Sequence, residues 1–273
     1  MRYPSVLTIA GSDSCGGAGI QADIKAISSL GLYASSVVTA ITAQNTTGVK
    51  SVMPVTPQVV ADQIDMVFAD IQIDAVKTGM LYDSQIITTV AEKLRHYAVE
   101  HYVLDPVMVS TSGTRLISED AIQAMVEQLF PLAQIITPNL PEAEALTGIR
   151  ITSIDSASRA ANQLLKTGCK YVLIKGGHRE GEDACDLLYT SNNEVITYKS
   201  NFIKTINTHG TGCTLSSAIA SYLALGKSVE EAVLEAKNYI QNAIDYGKNV
   251  VVGHGHGPVN HFFNPQSLKI LDK

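Results

Sequence analysis

At 273 residues the chain can form one large α/β domain or two small ones, and its 45% hydrophobic and 17% charged content suits a packed core. A net charge of −6, the absence of tryptophan and 6% aromatic residues argue against a basic nucleic-acid footprint or a stacking platform for single strands. It carries no 18-residue apolar run, secretory core or Arg-rich leader. Its four cysteines, Cys15, Cys169, Cys185 and Cys213, show no paired spacing, so no membrane association and a cytoplasmic protein with reduced thiols are expected.

Ser5–Ala10 is a short apolar run of the kind buried on both faces of a parallel sheet. It ends in a glycine loop, Gly11 to Gly19, before a helical segment reaching Leu30. A phosphate loop of the Walker type needs lysine where Gly17 stands, and the dinucleotide fingerprint is met only in relaxed form by Gly17, Gly19 and Ala22. The loop is therefore expected to line a small-molecule pocket, with Asp23 in the first turn of the helix either aimed at it or simply complementing the helix dipole. Tyr33–Ala40 reads as a strand that runs into a polar stretch, Ile41 to Gly48, containing Gln44.

Thr56–Phe68 has helical periodicity, Ala75–Met80 is a short strand with a glycine turn, and Asp83 caps a helix reaching about His96. Tyr102–Pro106 is a strand with Asp105 at its end, and Ser118, Asp120 and the Glu127 region fit a further helix. Gln134–Thr137 is a strand followed by a polar stretch with Asn139, Glu142 and Glu144. Asp155–Thr167 is helical, Tyr171–Lys175 is a strand ending in two glycines, and Asp186–Thr190 with Glu194–Lys199 forms a hairpin. Ser228 and Glu231 make a capping box for the last helix. The tail from Val250 is rich in glycine and histidine and has no period. His254, His256 and His261 raise a metal site, but a surface tail or oligomer contact fits better because no further ligands cluster with them. Strand and helix alternate without a linker or repeat, which points to one α/β/α sandwich with a mostly parallel sheet over residues 1–273.

The stretch Asn207-Thr208-His209-Gly210-Thr211-Gly212-Cys213 precedes a helical pattern marked by Leu215, Ala218, Ile219, Tyr222 and Leu223. Two glycines let a ligand approach the backbone, and a helix start offers unpaired N–H groups to an anion. Cys213 falls in the first turn, where that field is expected to lower a thiol pKa. By itself the heptapeptide fits an ordinary helix start with a small buried cysteine equally well.

Other polar residues recur at the strand ends, which in a parallel sheet lie along one edge. Asp23, Gln44, Asp105, Asn139, Glu142, Lys175 and Cys213 together supply acids, a lysine and an anion cradle, a set that suits phosphoryl transfer from Mg-ATP.

The stretches AGSDSCGGAGIQADIK, TAITAQNT, KTGML, LDPVMV, TPNLPEAE, VLIKGGH and NTHGTGCTLSSAIA span nearly the whole chain in order. Together they closely resemble the hydroxymethylpyrimidine/phosphomethylpyrimidine kinases of thiamine biosynthesis, within the ribokinase-like superfamily. The resemblance implies a three-layer α/β/α fold, cytoplasmic, with a homodimeric assembly. It implies ATP- and Mg²⁺-dependent phosphorylation of 4-amino-5-hydroxymethyl-2-methylpyrimidine, then of its monophosphate. Carried over by position, Gln44 reads the aminopyrimidine edge, and Gly11, Asp23, Met80 and Val107 complete the substrate pocket. Asp105 and Glu142 handle magnesium, while Asn139, Lys175, Thr208, Gly210 and Gly212 serve ATP. Cys213 becomes the general base, with Gly210 to Cys213 as the anion hole. One loop departs from the pattern. After Val109 it reads Ser110-Thr111-Ser112-Gly113, where many relatives carry a lysine before the Ser-Gly pair, and some pyridoxal-active relatives carry a cysteine where Ser110 stands. Pyridoxal kinase activity and a non-catalytic pyrimidine sensor remain the alternatives.

Overall fold

The structure is a computed structural model and describes residues 1–109, 113, 116–176, 184–192 and 194–272. Nine strands form one sheet: β1 (Ser5–Asp13), β2 (Tyr33–Asn45), β3 (Gly48–Pro54), β4 (Ala75–Thr78), β5 (Tyr102–Leu104), β6 (Ile135–Ile136), β7 (Tyr171–Ile174), β8 (Ala184–Thr190) and β9 (Val195–Ser200). Their order is β3-β2-β1-β4-β5-β6-β7-β8-β9. The six from β2 to β7 are parallel, and β3, β8 and β9 extend the two edges antiparallel.

The period of two along each strand builds two cores. Leu7 and Ile9 of β1 join Val76, Leu104 and Ile136 on one face, while Val6 joins Ala75, Val103 and Ile135 on the other. The first face is covered by α2 (Pro57–Asp70), α3 (Ser84–His96), α4 (Glu119–Ala124), α5 (Leu140–Thr147) and α6 (Ile154–Leu165); the second by α1 (Gly19–Ser29), α7 (Thr211–Ala224) and α8 (Val229–Gly247). This is the three-layer α/β/α sandwich expected from the alternation of elements. Because β1 sends the chain through α1 to β2 on one side and has β4 on its other side, a crevice opens at the C-terminal ends of β1 and β4.

Local signals hold in detail. Asp83 caps α3 by accepting from Ile86 N at 2.8 Å, and Ser228 and Glu231 form the reciprocal box that starts α8. Two features exceed the sequence reading. Strand β2 continues to Asn45 and folds back on β3, with Gln44 opposite Val49. The polar stretch after β6 is the start of α5, where Asn139 and Glu142 form a capping box, Pro141 sits in the first turn and Gly148 closes the helix at φ 70°.

The C-terminal tail is an internal strap. Residues 250–254 are exposed, but His256 N and Gly255 N bond to Thr46 O and Oγ1, and His209 N bonds to Gly257 O at 3.0 Å. His261 is buried and its Nε2 lies 3.0 Å from Thr214 Oγ1 of α7. A Cβ at Gly255 would stand 2.0 Å from Thr46 O, so glycine permits this crossing. No helix among the described residues is long and apolar enough to cross a membrane.

Candidate active site

Helix α7 begins at Gly210, whose φ of 79° is left-handed and whose Cβ, if present, would lie 1.8 Å from Gly17 O. Only glycine fits there. Among the described residues no side chain caps the helix; Thr211 N–H turns back to Thr208 O, and the N–H groups of Gly212 and Cys213 have no capping acceptor among them. Both residues line a cavity of about 440 Å³ at the C-terminal edge of the sheet.

Opposite this helix start stands a charged cluster. Asp105 follows β5; its Oδ1 accepts from Lys175 Nζ at 3.0 Å and Thr137 Oγ1 at 3.1 Å, and its Oδ2 from Ser216 Oγ of α7 at 3.3 Å. Burial works against this carboxylate, but Lys175 and Lys77 outweigh it and hold Asp105 below the usual carboxylate range. Burial pushes Glu142 up to about 7, with Lys175 opposing the rise and Asp105 adding to it. Glu142 Oε2 and Asn139 Oδ1 are engaged in the α5 capping box, the Glu142 carboxylate also accepts from the Met108 N–H, and both residues line the cavity. A Cβ on Gly212 would lie 3.4 Å from Lys175 Nζ and 3.5 Å from Asp105 Oδ2, which brings cradle and cluster into direct apposition.

At the other end of the cavity are Gly11, Met80, Val107 and Gln44. Gln44 Oε1 accepts from Thr42 Oγ1 at 3.3 Å, and Ser14 Oγ exchanges hydrogen bonds with the Gln44 backbone. The glycine loop after β1 closes over this end. Asp13 accepts from Cys15 N, Gly17 N and Ala18 N, and its Oδ2 lies 2.8 Å from His209 Nε2. Burial works against the Asp13 carboxylate, but His209 and these backbone donors hold it below its ordinary range.

The structure thus gathers Gly11, Gln44, Met80, Asp105, Val107, Asn139, Glu142, Lys175, Thr208, Gly210, Gly212 and Cys213 around one cavity. Two expectations fail. Asp23 is no pocket residue: it is fully buried beneath the floor, where Lys77 Nζ (2.8 and 2.9 Å), Thr8 Oγ1 (2.6 Å) and Ser217 Oγ (2.7 Å) saturate it. It also lies past the first turn of α1, so dipole compensation does not explain it. The Cys213 thiol is not acidic either. Burial pushes it up to about 11, with Lys77 opposing and Asp23 and Asp105 adding, so desolvation exceeds the field of the helix start.

Three residues were missed by sequence reasoning. Asp13 carried a signal, an aspartate opening a glycine turn and accepting the N–H two residues on. His209 stood inside the heptapeptide without a role, and Lys77 stood in a strand that looked wholly structural. Asp13, Cys15 and His209 also form the one three-residue group with metal-ligand potential among the described residues. Its geometry is a hydrogen-bonded clasp, since Asp13 already receives four donors; His254, His256 and His261 do not come together with further ligands. The segment from Ser110 to Ser112 and residue Gly177 lie outside the described residues.

The phosphomethylpyrimidine kinase family profile matches residues 13–260. The chain is 48% identical to a hydroxymethylpyrimidine/phosphomethylpyrimidine kinase of Rhizobium meliloti, covering 94% of this chain and 96% of that one. It is 49% identical to a thiamine biosynthesis bifunctional protein of Geobacter sulfurreducens across 97% of its own length, yet it spans only 54% of that relative. Among solved structures it resembles the Staphylococcus aureus pyridoxal kinase in complex with AMP-PCP and pyridoxal, at 34% identity and a TM-score of 0.87 over 97% of this chain and 95% of that one.

Proposed function

The chain belongs to the phosphomethylpyrimidine kinase family, and from that premise we propose that it is the ATP-dependent kinase that phosphorylates 4-amino-5-hydroxymethyl-2-methylpyrimidine and then its monophosphate. The observation that carries this reading is the convergence on one cavity of Cys213, the uncapped start of α7 and the Asp105–Lys175–Glu142 cluster. A phosphoryl donor needs its anionic end neutralised and an acceptor alcohol needs a base beside it, and this one cavity is lined by groups suited to both needs.

In this reading Gln44 presents one amide donor and one acceptor to the aminopyrimidine edge, and Gly11, Met80 and Val107 wall the ring. Thr208, Gly210, Gly212, Asn139 and Lys175 hold the ATP phosphates, and Cys213 takes the hydroxymethyl proton. Asp105 and Glu142 fit Mg²⁺, because a hard cation that keeps water and phosphate ligands needs only one or two carboxylates from the protein. When bound, Mg²⁺ supplies charge neutralisation at the triphosphate. The chain functions as a single domain in the cytoplasm, which its four free cysteines support. It pairs as a homodimer, which the exposed cross-strand neighbours Ile41 and Met53 of the β2–β3 hairpin support.

The test is product mass after incubation with Mg-ATP and each alcohol. A monophosphate followed by a diphosphate of the pyrimidine is expected; phosphorylation of pyridoxal alone overturns the substrate assignment. Gln44→Leu sharpens it. Losing a buried hydrogen bond of ~1–3 kcal/mol lowers kcat/KM for the pyrimidine roughly ten- to a hundredfold, with pyridoxal turnover changed much less.

A further inference from the structure

Beneath the cavity floor lies an ion pair that the reading above leaves unused. Lys77 on β4 pairs in register with Thr8 on β1, and both side chains turn toward α1 and α7. Lys77 and Asp23 are each fully buried. The Asp23 carboxylate is saturated by Lys77, Thr8 and Ser217, and Ser217 stands one helical turn beyond Cys213 on α7. Lys77 differs: two of its three ammonium N–H groups go to Asp23, the third finds no acceptor among the described residues, and the side chain lines the same cavity as Cys213. A Cβ on Gly79 would lie 2.9 Å from Lys77 Nζ, so the glycine keeps that approach open.

A buried cation with an unspent donor facing a cavity is costly unless negative charge arrives there. Resting on the kinase reading, we propose that Lys77, held by Asp23, is the positioning residue that makes Cys213 a usable base, stabilising the negative charge shared between its sulfur and the acceptor oxygen. The groups that face the Cys213 sulfur are Lys77 and Lys175, Asp23 and Asp105, and the Gly19 N–H. Of the charges, Lys77 acts on the thiol most strongly and in the favourable direction, opposing burial. Asp23 keeps Lys77 protonated, so the lysine cannot itself take the proton. In the transfer, the hydroxymethyl proton passes to the Cys213 thiolate and the alcohol oxygen forms a bond to the γ-phosphorus. The bond from that phosphorus to the bridging oxygen breaks, ADP leaves with the electron pair, and the thiol later releases its proton to solvent. Lys77 keeps its three protons throughout.

The decisive measurement needs no substrate. The rate of iodoacetamide alkylation of Cys213 in the free protein, resolved by mass at its own peptide, follows the thiolate fraction at pH 8.5. An opposite charge at close range favours the ionised form by about one to three pH units, so Lys77→Met should slow alkylation roughly tenfold or more. The double variant Asp23→Asn/Lys77→Met, which keeps the buried charge balanced, should fall below wild type because the lysine effect is the larger. In turnover, Lys77→Met and the double variant should lose about ten- to a hundredfold in kcat with KM for the alcohol little changed. Loosening of the pocket would speed alkylation in every variant, so slowing cannot come from disruption. If Lys77→Met does not fold, the double variant decides. Alkylation in the double variant as fast as wild type, with kcat within about twofold, overturns the role of Lys77. Wild-type protein that phosphorylates no pyrimidine alcohol sinks the kinase reading instead, and the alkylation rates still decide the ion pair.

Discussion

The two glycine loops at the edge of the sheet look alike in sequence and behave in opposite ways. In the first, between β1 and α1, Asp13 takes the N–H groups of Cys15, Gly17 and Ala18, and the Asp13 N–H goes to Gln21 Oε1. That loop carries its own anion on three of its N–H groups. In the second, Asp105 stands close by but takes its hydrogen bonds from side chains, no side chain caps α7 among the described residues, and Gly212 and Cys213 line the cavity. The difference teaches that a glycine-rich turn before a helix is an anion site only when no carboxylate of the protein has filled it. The loops are also mechanically joined: a Cβ on Gly210 would strike Gly17 O, and a Cβ on Gly17 would lie 2.4 Å from the His209 ring.

Breaking that joint gives the largest effect. Gly210→Ala forces a left-handed φ on a residue with a side chain and a collision with Gly17 O, so a loss of about 3 kcal/mol in stability and turnover near background are expected. Thermal unfolding with steady-state kinetics checks both; a variant that keeps wild-type turnover breaks the link between the loops. Next comes Cys213→Ala, expected to fold normally and lose ~10²–10⁴ in kcat while still binding nucleotide, since the backbone cradle survives. A rate near wild type in that variant removes the thiol from the proton transfer.

How far these contrasts could be read in advance depends on the distance between partners. Helix caps at Asp83 and Ser228, and the burial of β1 on both faces, are settled within a few residues and are legible. The Asn139–Glu142 box is equally local, but in the sequence both residues read as ligands alone; the structure has them cap α5 and line the cavity. The clasp from Asp13 to His209 joins residues 196 apart. The strap from Gly255 to His261 closes onto Thr46, His209 and Thr214, so its glycines answer to remote neighbours and show no period. Asp23 read as a ligand because an acid near a glycine loop suggests one; the buried Lys77 that claims it lies 54 residues away.

The strap supplies a further way to separate the loops. His261, which anchors α7 through Thr214, is pushed down to about 4 by burial, with Lys25 adding to the shift. Its folded pKa lies below the unfolded value, so its stability contribution is complete above about 6.5 and is lost as pH falls towards 4. Acidifying from pH 7 to 5 should cost ~2 kcal/mol through this residue, seen in urea unfolding as a slope absent from His261→Asn. An identical pH slope in the two proteins would contradict the buried neutral imidazole. The smallest effect belongs to the first loop. Gly16 has φ 81°, but the nearest atom to a Cβ there is the flexible Lys25 Nζ at 3.4 Å. Gly16→Ala should cost only about 1 kcal/mol and leave kcat within a few fold; a loss as deep as that of Gly210→Ala would erase the distinction between the loops.

The most direct test follows backbone amide signals by ¹⁵N–¹H spectroscopy as the protein is titrated with AMP-PCP and Mg²⁺. The account expects the Gly212 and Cys213 amides to shift strongly and in proportion to occupancy, while those of Cys15, Gly17 and Ala18, already bonded to Asp13, stay near their starting positions. Large shifts confined to Cys15, Gly17 and Ala18, with Gly212 and Cys213 unmoved, would place the phosphates on the first loop and contradict it.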